Sequence, residues 1–298
     1  MTSIVPQRLD RLALLAGLAA ASIWGAMYVV SKAVMAVVPP LTLLAARLVL
    51  GALALAPFLR RGNRPPARAW PRVLAVGAVG YGLSLSLQFV GTHWSTAANG
   101  ALVTTVTPAF VYLFAWALLR ERIPPRRWAA LALATAGVLV VVDPRQARLD
   151  PALFWGNVLL ALAALTWALY SVLVGQLARR HDLLWVSVGA FLGGLLLALP
   201  ASAYELATVG LGGPPTGRVV AGVLFVGWGS TALAMALWNH AFARLPAGVA
   251  GLTFFAQPVV GTLLSAWFLH EPLTPGFWLG AGLIGLGVLW ATREGGAS

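Results

Sequence analysis

The sequence predicts an all-α polytopic membrane protein: ten transmembrane helices, built as two inverted five-helix repeats, with both termini cytoplasmic. Three observations predict it. Hydrophobic residues make up 60% of the 298 positions and charged residues 9%, where a soluble domain carries about 25% charged residues. Apolar stretches of about 20 residues, the length that crosses a ~30 Å hydrocarbon core, recur from end to end. Residues 97–140 repeat at 247–290 without a gap; twelve of the 44 aligned positions are identical, where composition alone gives about five.

The stretches fall, in order, at about 12–32, 41–59, 72–92, 96–119, 127–142, 153–178, 183–204, 218–241, 247–269 and 275–292. The first follows Arg8 and Arg11 and so has the form of a secretory signal. Nine further apolar stretches mark it instead as a retained helix. The second opens on Pro39-Pro40 and carries Arg47. The fourth and ninth contain Pro108 and Pro258, each expected mid-span, where the missing N–H predicts a kink and a hinge at equivalent points. The fifth is the shortest. The tenth is rich in small residues (Gly276, Gly280, Ala281, Gly285), which reads as close packing within the bundle. The connections are too short to hold a soluble domain.

The repeat pairs Pro108 with Pro258, Glu121 with Glu271, Pro125 with Pro275, Trp128 with Trp278 and Gly137 with Gly287. Its period of 150 divides the chain into residues 1–148 and 149–298, five helices each. An odd number of spans turns the second half over relative to the first. The charges agree. Arg120-Glu121-Arg122 becomes His270-Glu271-Pro272, so the Glu stays and the Arg residues go. Fifteen of the twenty Lys and Arg residues lie on the side of the N-terminus; Lys32, Arg145, Arg148 and Arg218 lie opposite, and Arg47 lies within a helix. The bias puts both termini inside. The net charge of +12 therefore belongs to membrane-flanking loops beside the lipid bilayer, not to a nucleic-acid partner. The chain has no Cys, which excludes disulfides and thiolate metal sites; no metal or cofactor is expected. Inverted repeats are a common construction of secondary transporters, with the substrate near the midplane between the halves. The alternative is a duplication without alternating access, as in some channels.

Several segments resemble the drug/metabolite transporter superfamily, specifically its EamA-type ten-helix members. They are Trp24-Gly25, Pro39-Pro40-Leu41-Thr42 followed by Arg47, the block from Thr107-Pro108 through Glu121 to Gly137, and its return at Pro258, Glu271 and Gly287. Within that group the chain resembles the YddG-like exporters of aromatic amino acids. The resemblance implies a multi-pass protein of the bacterial plasma (inner) membrane, with a small-molecule substrate, functional as a monomer; a dimer stays open.

Polar side chains inside a membrane are costly, so their positions are informative. Helical spacing puts Trp24, Tyr28 and Ser31 on one face, and Tyr81, Ser84 and Gln88 on another. Trp167, Tyr170 and Ser171 cluster on the sixth helix. Trp228, Thr231, Met235 and Asn239 share a sector of the eighth, and Phe255 and Gln257 flank Pro258 on the ninth. Trp24, Tyr28, Tyr81, Ser84, Gln88, Trp167, Tyr170, Asn239, Phe255 and Gln257 are the expected substrate contacts. They supply aromatic walls and neutral hydrogen-bonding groups for an amphipathic zwitterion. Duller readings stand beside these. Trp70, Trp94, Trp128, Trp155, Trp185, Trp278 and Trp290 fit interfacial belts. Thr104 and Thr107 fit bonds to their own helix. Arg47, roughly 9 Å into its helix, is either a carboxylate anchor or a structural tie between helix ends. Glu121 and Glu271, at helix ends, read as terminus and gating contacts.

All eight acidic residues lie outside the spans or near their ends. No carboxylate stands at the midplane for cation–proton exchange. The sequence thus points to export of amino acids, aromatic ones favoured, and related metabolites by facilitated diffusion. The alternatives are a broad-specificity drug or metabolite efflux protein, with proton coupling, and, more remotely, an intramembrane enzyme or scaffold. Ser230 and His240 are the nearest approach to an enzymatic pair, and they stand about 15 Å apart along one helix.

Overall fold

A computed structural model describes residues 10–60, 63–95, 103, 106–142, 153–269 and 275–292. The side chains of Tyr28, Lys32 and His93, and all of Glu271 and Thr104, lie outside the described residues. Each expected stretch holds a helix. These are α1 (Arg11–Val34), α2 (Pro40–Leu55), α3 (residues 70–94), α4 (Thr107–Leu119) and α5 (Pro125–Val142) in the first half. In the second they are α6 (Phe154–Arg180), α7 (Leu183–Thr208), α8 (Gly217–Arg244), α9 (residues 247–269) and α10 (Pro275–Thr292). Among the described residues, six stretches are long and apolar enough to cross a membrane; they fall on α2, α3, α6, α7, α8 and α9. The outer surface is itself apolar, with Leu53, Leu83, Leu196, Leu279 and Leu286 all exposed. An aqueous protein rarely leaves so much hydrocarbon in the solvent; a bilayer accepts it.

Helix starts are fixed by oxygen acceptors that satisfy the free N–H groups of the first turn. Asp10 accepts from Ala13 in α1, Asp182 from Leu184 and Trp185 in α7, and Thr216 from Val219 in α8. The α2 start has no side-chain cap of its own. Glu205 of α7 supplies it, accepting from the backbone of Leu41 (3.2 Å) and Thr42 (2.8 Å). At the other polarity, Arg179 of α6 donates to the carbonyls of Ala243 and Leu245 at the end of α8.

Three helices depart from regular α geometry. α3 contains a π-helical stretch over Ala78–Ser84, and α8 contains one over Phe225–Leu233. α9 is interrupted by a 3₁₀ turn at Thr253–Phe255. Both prolines follow a break in the helix: Pro258 comes just after the 3₁₀ turn of α9, and Pro108 just after a turn at Val106. Pro108 is the second residue of α4, and Pro258 the third of the segment Ala256–Leu269. In a first turn the missing N–H costs nothing, and proline's steric demand on the residue before it favours a segment start there.

α2 lies on α7, and α5 on α10. α3 packs on α6 and α7, as α8 packs on α1 and α2. α4 packs on α6, as α9 packs on α1. Exchanging the two halves, α1 for α6 and so on, therefore maps these contacts onto one another. The α5–α10 contact shows the exchange at single residues. A Cβ on Gly137 would stand 2.6 Å from the Gly280 carbonyl and 2.9 Å from Ile284; one on Gly287 would stand 2.8 Å from the Ala130 carbonyl and 2.9 Å from Ala134. One buried cluster joins α1–α4 and α6–α9, and a smaller one joins α5 and α10 to Tyr112, Leu252 and Phe255.

Candidate functional site

Where α1, α2, α3, α4, α6, α8 and α9 converge they leave a cavity of about 40 Å³. That is room for a few waters, at ~10–15 Å³ each. Trp24 and Trp167 form two of its walls, their rings edge to face at 5.6 Å. Arg47 of α2 is wholly buried and lines the same space. Ser84 and Gln88 of α3, and Phe254 and Gln257 of α9, complete the polar and aromatic lining, with Thr107 at the start of α4.

The α8 π stretch organises one side. Widening the helix releases backbone groups from the regular i→i−4 ladder. The Ser230 carbonyl accepts the Trp24 indole N–H at 2.9 Å. The Ser230 and Thr231 hydroxyls both donate to the Val226 carbonyl, at 2.8 and 2.7 Å. Their oxygens then accept from Arg47: Nε to Thr231 at 2.8 Å and Nη2 to Ser230 at 3.4 Å. Arg47 is thus both a tie between α2 and α8 and part of the cavity wall. The two tryptophans differ. Trp24 Nε1 is engaged, while Trp167 Nε1 is buried without a hydrogen-bond partner among the described residues.

Five of the expected contacts, Trp24, Ser84, Gln88, Trp167 and Gln257, line this cavity. Tyr81, Tyr170 and Asn239 do not. They form a separate buried chain. The Tyr170 hydroxyl donates to Asn239 Oδ1 at 2.9 Å, so its oxygen accepts from Tyr81. Asn239 Nδ2 donates to Ser187 at 3.0 Å, and Ser187 to the Leu183 carbonyl. Every polar side chain in this series is bonded to another group, which buried amides and phenols require. The α3 π stretch explains the split on that helix: its extra residue breaks the register that would align Tyr81 with Ser84 and Gln88. The α8 stretch does the same to Trp228, which is 51% exposed while Thr231 and Asn239 are buried. Phe255 is turned into the α5–α10 cluster, and Phe254 takes its place at the cavity; the 3₁₀ turn advances the chain faster around its axis than an α-turn. Met27, Leu85, Ala163 and Ala164 are further lining residues, apolar positions with no signal apart from their neighbours in sequence, and Met235 of the marked sector of α8 lines it too.

At the start of α9, away from the cavity, Glu121 bonds Arg127 at 3.3 Å and accepts from the Ala247 N–H at 3.1 Å. Arg120, in the left-handed region at φ 53°, ends α4 and turns the chain so that Glu121 N–H reaches the Ala115 carbonyl.

The sequence profile of the EamA-like transporter family matches residues 11–143 and again residues 154–293. The chain belongs to the EamA-like transporter family. It is 28% identical over 277 residues to the uncharacterized transporter YwfM of Bacillus subtilis, covering 91% of this chain and 90% of that one. It is 28% identical to YetK of the same organism over 61% of this chain and 56% of YetK, so that match spans little more than half of the relative. A protein of Pseudomonas aeruginosa described as a probable biotin transporter is 31% identical over 84% of this chain and 86% of its own length. A crystal structure 25% identical in sequence superposes with a TM-score of 0.79 over 94% of this chain and 96% of the other.

Proposed function

We propose that the protein is a secondary transporter of the bacterial inner membrane that exports amino acids, aromatic ones favoured, and related small metabolites. Its ten helices span the membrane as two inverted halves, residues 1–148 and 149–298, with both termini cytoplasmic. The observation that carries the reading is the buried cavity between the halves, walled by two tryptophans, Arg47 and two glutamines. The double match of the family profile, the exchange of helix contacts between halves and the sided distribution of Arg support the architecture. In that topology the cavity lies toward the outer half of the membrane, and the Tyr81–Leu183 chain closes the cytoplasmic side. Rocking one half against the other exposes the cavity to each side in turn. The wall holds no carboxylate among its described residues, which supports facilitated diffusion over proton exchange.

The test is flux of radiolabelled amino acids into proteoliposomes. Saturable counterflow of aromatic amino acids without an imposed pH gradient is expected. A strict requirement for that gradient removes the facilitated mechanism, and absence of counterflow with any amino acid removes the substrate assignment. A second reading, a carrier of a wider set of amphipathic metabolites, draws on the relative described as a probable biotin transporter.

A further inference from the structure

We propose that the cytoplasmic ends of α3 and α6 hold the phosphate of an anionic phospholipid. This site is separate from the transport cavity, and only its leaflet rests on the topology proposed above.

A second cavity, of about 270 Å³, opens between these two helix ends. Arg68 and Ala69, in the 3₁₀ turn that leads into α3, line it together with Arg72. Gln176, Leu177, Arg180 and His181 line it from the end of α6. Three guanidinium groups therefore border one space, and no carboxylate lines it among the described residues. Asp182, the next residue along, is engaged elsewhere: it accepts from the N–H groups of Leu184 and Trp185 and from Asn63 Nδ2. The neighbouring arginines are engaged too. Arg179 donates to carbonyls at the end of α8, and Arg64 lies over the Trp70 and Trp185 rings at 5.6 and 5.8 Å. The cavity arginines differ. Among the described residues Arg68 and Arg180 have no side-chain bond, and Arg72 bonds only the neutral Gln176, Nη2 to Oε1 at 3.1 Å.

Guanidinium groups take phosphate oxygens through paired N–H donors. Two features select a lipid over a soluble phosphate. The first is depth: the cavity lies where two membrane spans end, at the level of the headgroups. The second is what continues from it toward the membrane. Helical spacing leads from Arg72 to Ala75 and Val79 on α3, and from Gln176 to Leu173 and Leu169 on α6. All four are apolar; Ala75 is exposed and the others half-buried. A phospholipid with its phosphate in the cavity lays its chains along this surface, which a soluble phosphate leaves unused. Basic pockets between membrane helices on the cytoplasmic side bind anionic headgroups by this combination.

Full-length protein in neutral detergent is titrated with dioleoyl phosphatidylglycerol or dioleoyl phosphatidylcholine, and bound lipid is counted by native mass spectrometry. Neutral micelles have no anionic surface, so only lipid held by the protein is counted. The expected result is a phosphatidylglycerol site on the order of tenfold tighter than any for phosphatidylcholine. Arg68→Gln, Arg72→Gln and Arg180→Gln each weaken phosphatidylglycerol roughly fivefold and leave phosphatidylcholine unchanged. Arg11→Gln and Arg244→Gln remove the same charge outside the cavity and keep the affinity within about twofold. Arg68 and Arg180 have no side-chain bond to lose, so their variants keep the question decidable even where Arg72→Gln does not fold. Glycerol 1-phosphate, the headgroup chemistry without chains, is expected not to displace phosphatidylglycerol at equal concentration. Equal affinity for the two lipids, or equal losses in the control variants, overturns the site. Displacement by glycerol 1-phosphate overturns the lipid assignment and gives the cavity to a soluble phosphate. None of these outcomes bears on flux, so the transporter reading stands or falls separately.

Discussion

Replacing Tyr170 with Phe removes one oxygen from the centre of a fully buried hydrogen-bond chain. Tyr81, Tyr170 and Asn239 have no exposed surface. The Tyr170 hydroxyl gives its proton to Asn239 Oδ1 and takes one from Tyr81. Without it two buried groups lose their partners at once, the Tyr81 O–H and the Asn239 carbonyl oxygen. An unsatisfied buried group costs about 1–3 kcal/mol. Hydrogen bonds between membrane helices have measured near the low end, about 0.6–2 kcal/mol. The sum for Tyr170→Phe is therefore about 2–4 kcal/mol. Tyr81→Phe differs although the chemical change is the same. It removes the terminal donor, and Tyr170 still donates to Asn239. One bond is lost and no buried donor is stranded, so about 0.5–1.5 kcal/mol is expected. Reversible unfolding in mixed micelles, titrated with SDS and followed by circular dichroism, measures both. If Tyr81→Phe costs as much as Tyr170→Phe or more, the protons are not donated in the order Tyr81 to Tyr170 to Asn239.

Three further outcomes are expected in the same unfolding assay. Arg120→Gly raises stability by about 0.5–1 kcal/mol, because a residue with a Cβ is strained in the left-handed region that φ 53° places it in; a loss of stability would show that the Arg120 side chain holds something more than the turn. Trp24→Phe lowers stability by about 1 kcal/mol through loss of the bond to the Ser230 carbonyl, whereas Trp167→Phe stays within about 0.5 kcal/mol of the parent; equal effects would refute the asymmetry between them. Gly80→Ala costs about 1–3 kcal/mol by overpacking, since a Cβ there would meet the Tyr170 ring at 2.3 Å; wild-type stability would mean that α3 and α6 can move apart freely.

The helices are legible from hydropathy because a bilayer demands long apolar stretches whatever the details of packing. The site is legible in part. Trp24, Ser84, Gln88, Trp167 and Gln257 follow from regular helical spacing, and each lies where that spacing leads. Tyr81, Trp228 and Phe255 depart from it because π and 3₁₀ turns shift the register, which a 3.6-residue period cannot represent. A signal for the π turns is nonetheless present. Val79-Gly80-Tyr81-Gly82 and Val226-Gly227-Trp228-Gly229 are related segments, and each lies in a π stretch. At Gly227 as at Gly80 a side chain of another helix occupies the space of the missing Cβ, that of Leu50 at 2.5 Å. Glu205 as the cap of α2 has no local signature, because donor and acceptor stand 163 residues apart.

The reciprocal contact between α5 and α10 also bears on how the chain is made. α5 ends at Val142 and its principal neighbour begins at Pro275. At about 5–20 residues per second, the ribosome takes roughly 7–27 s to deliver one after the other. During that interval the small-residue seam at Ala130, Ala134 and Gly137 faces lipid. α10 meets this seam with its own repeat-equivalent residues, and its arrival ends that window.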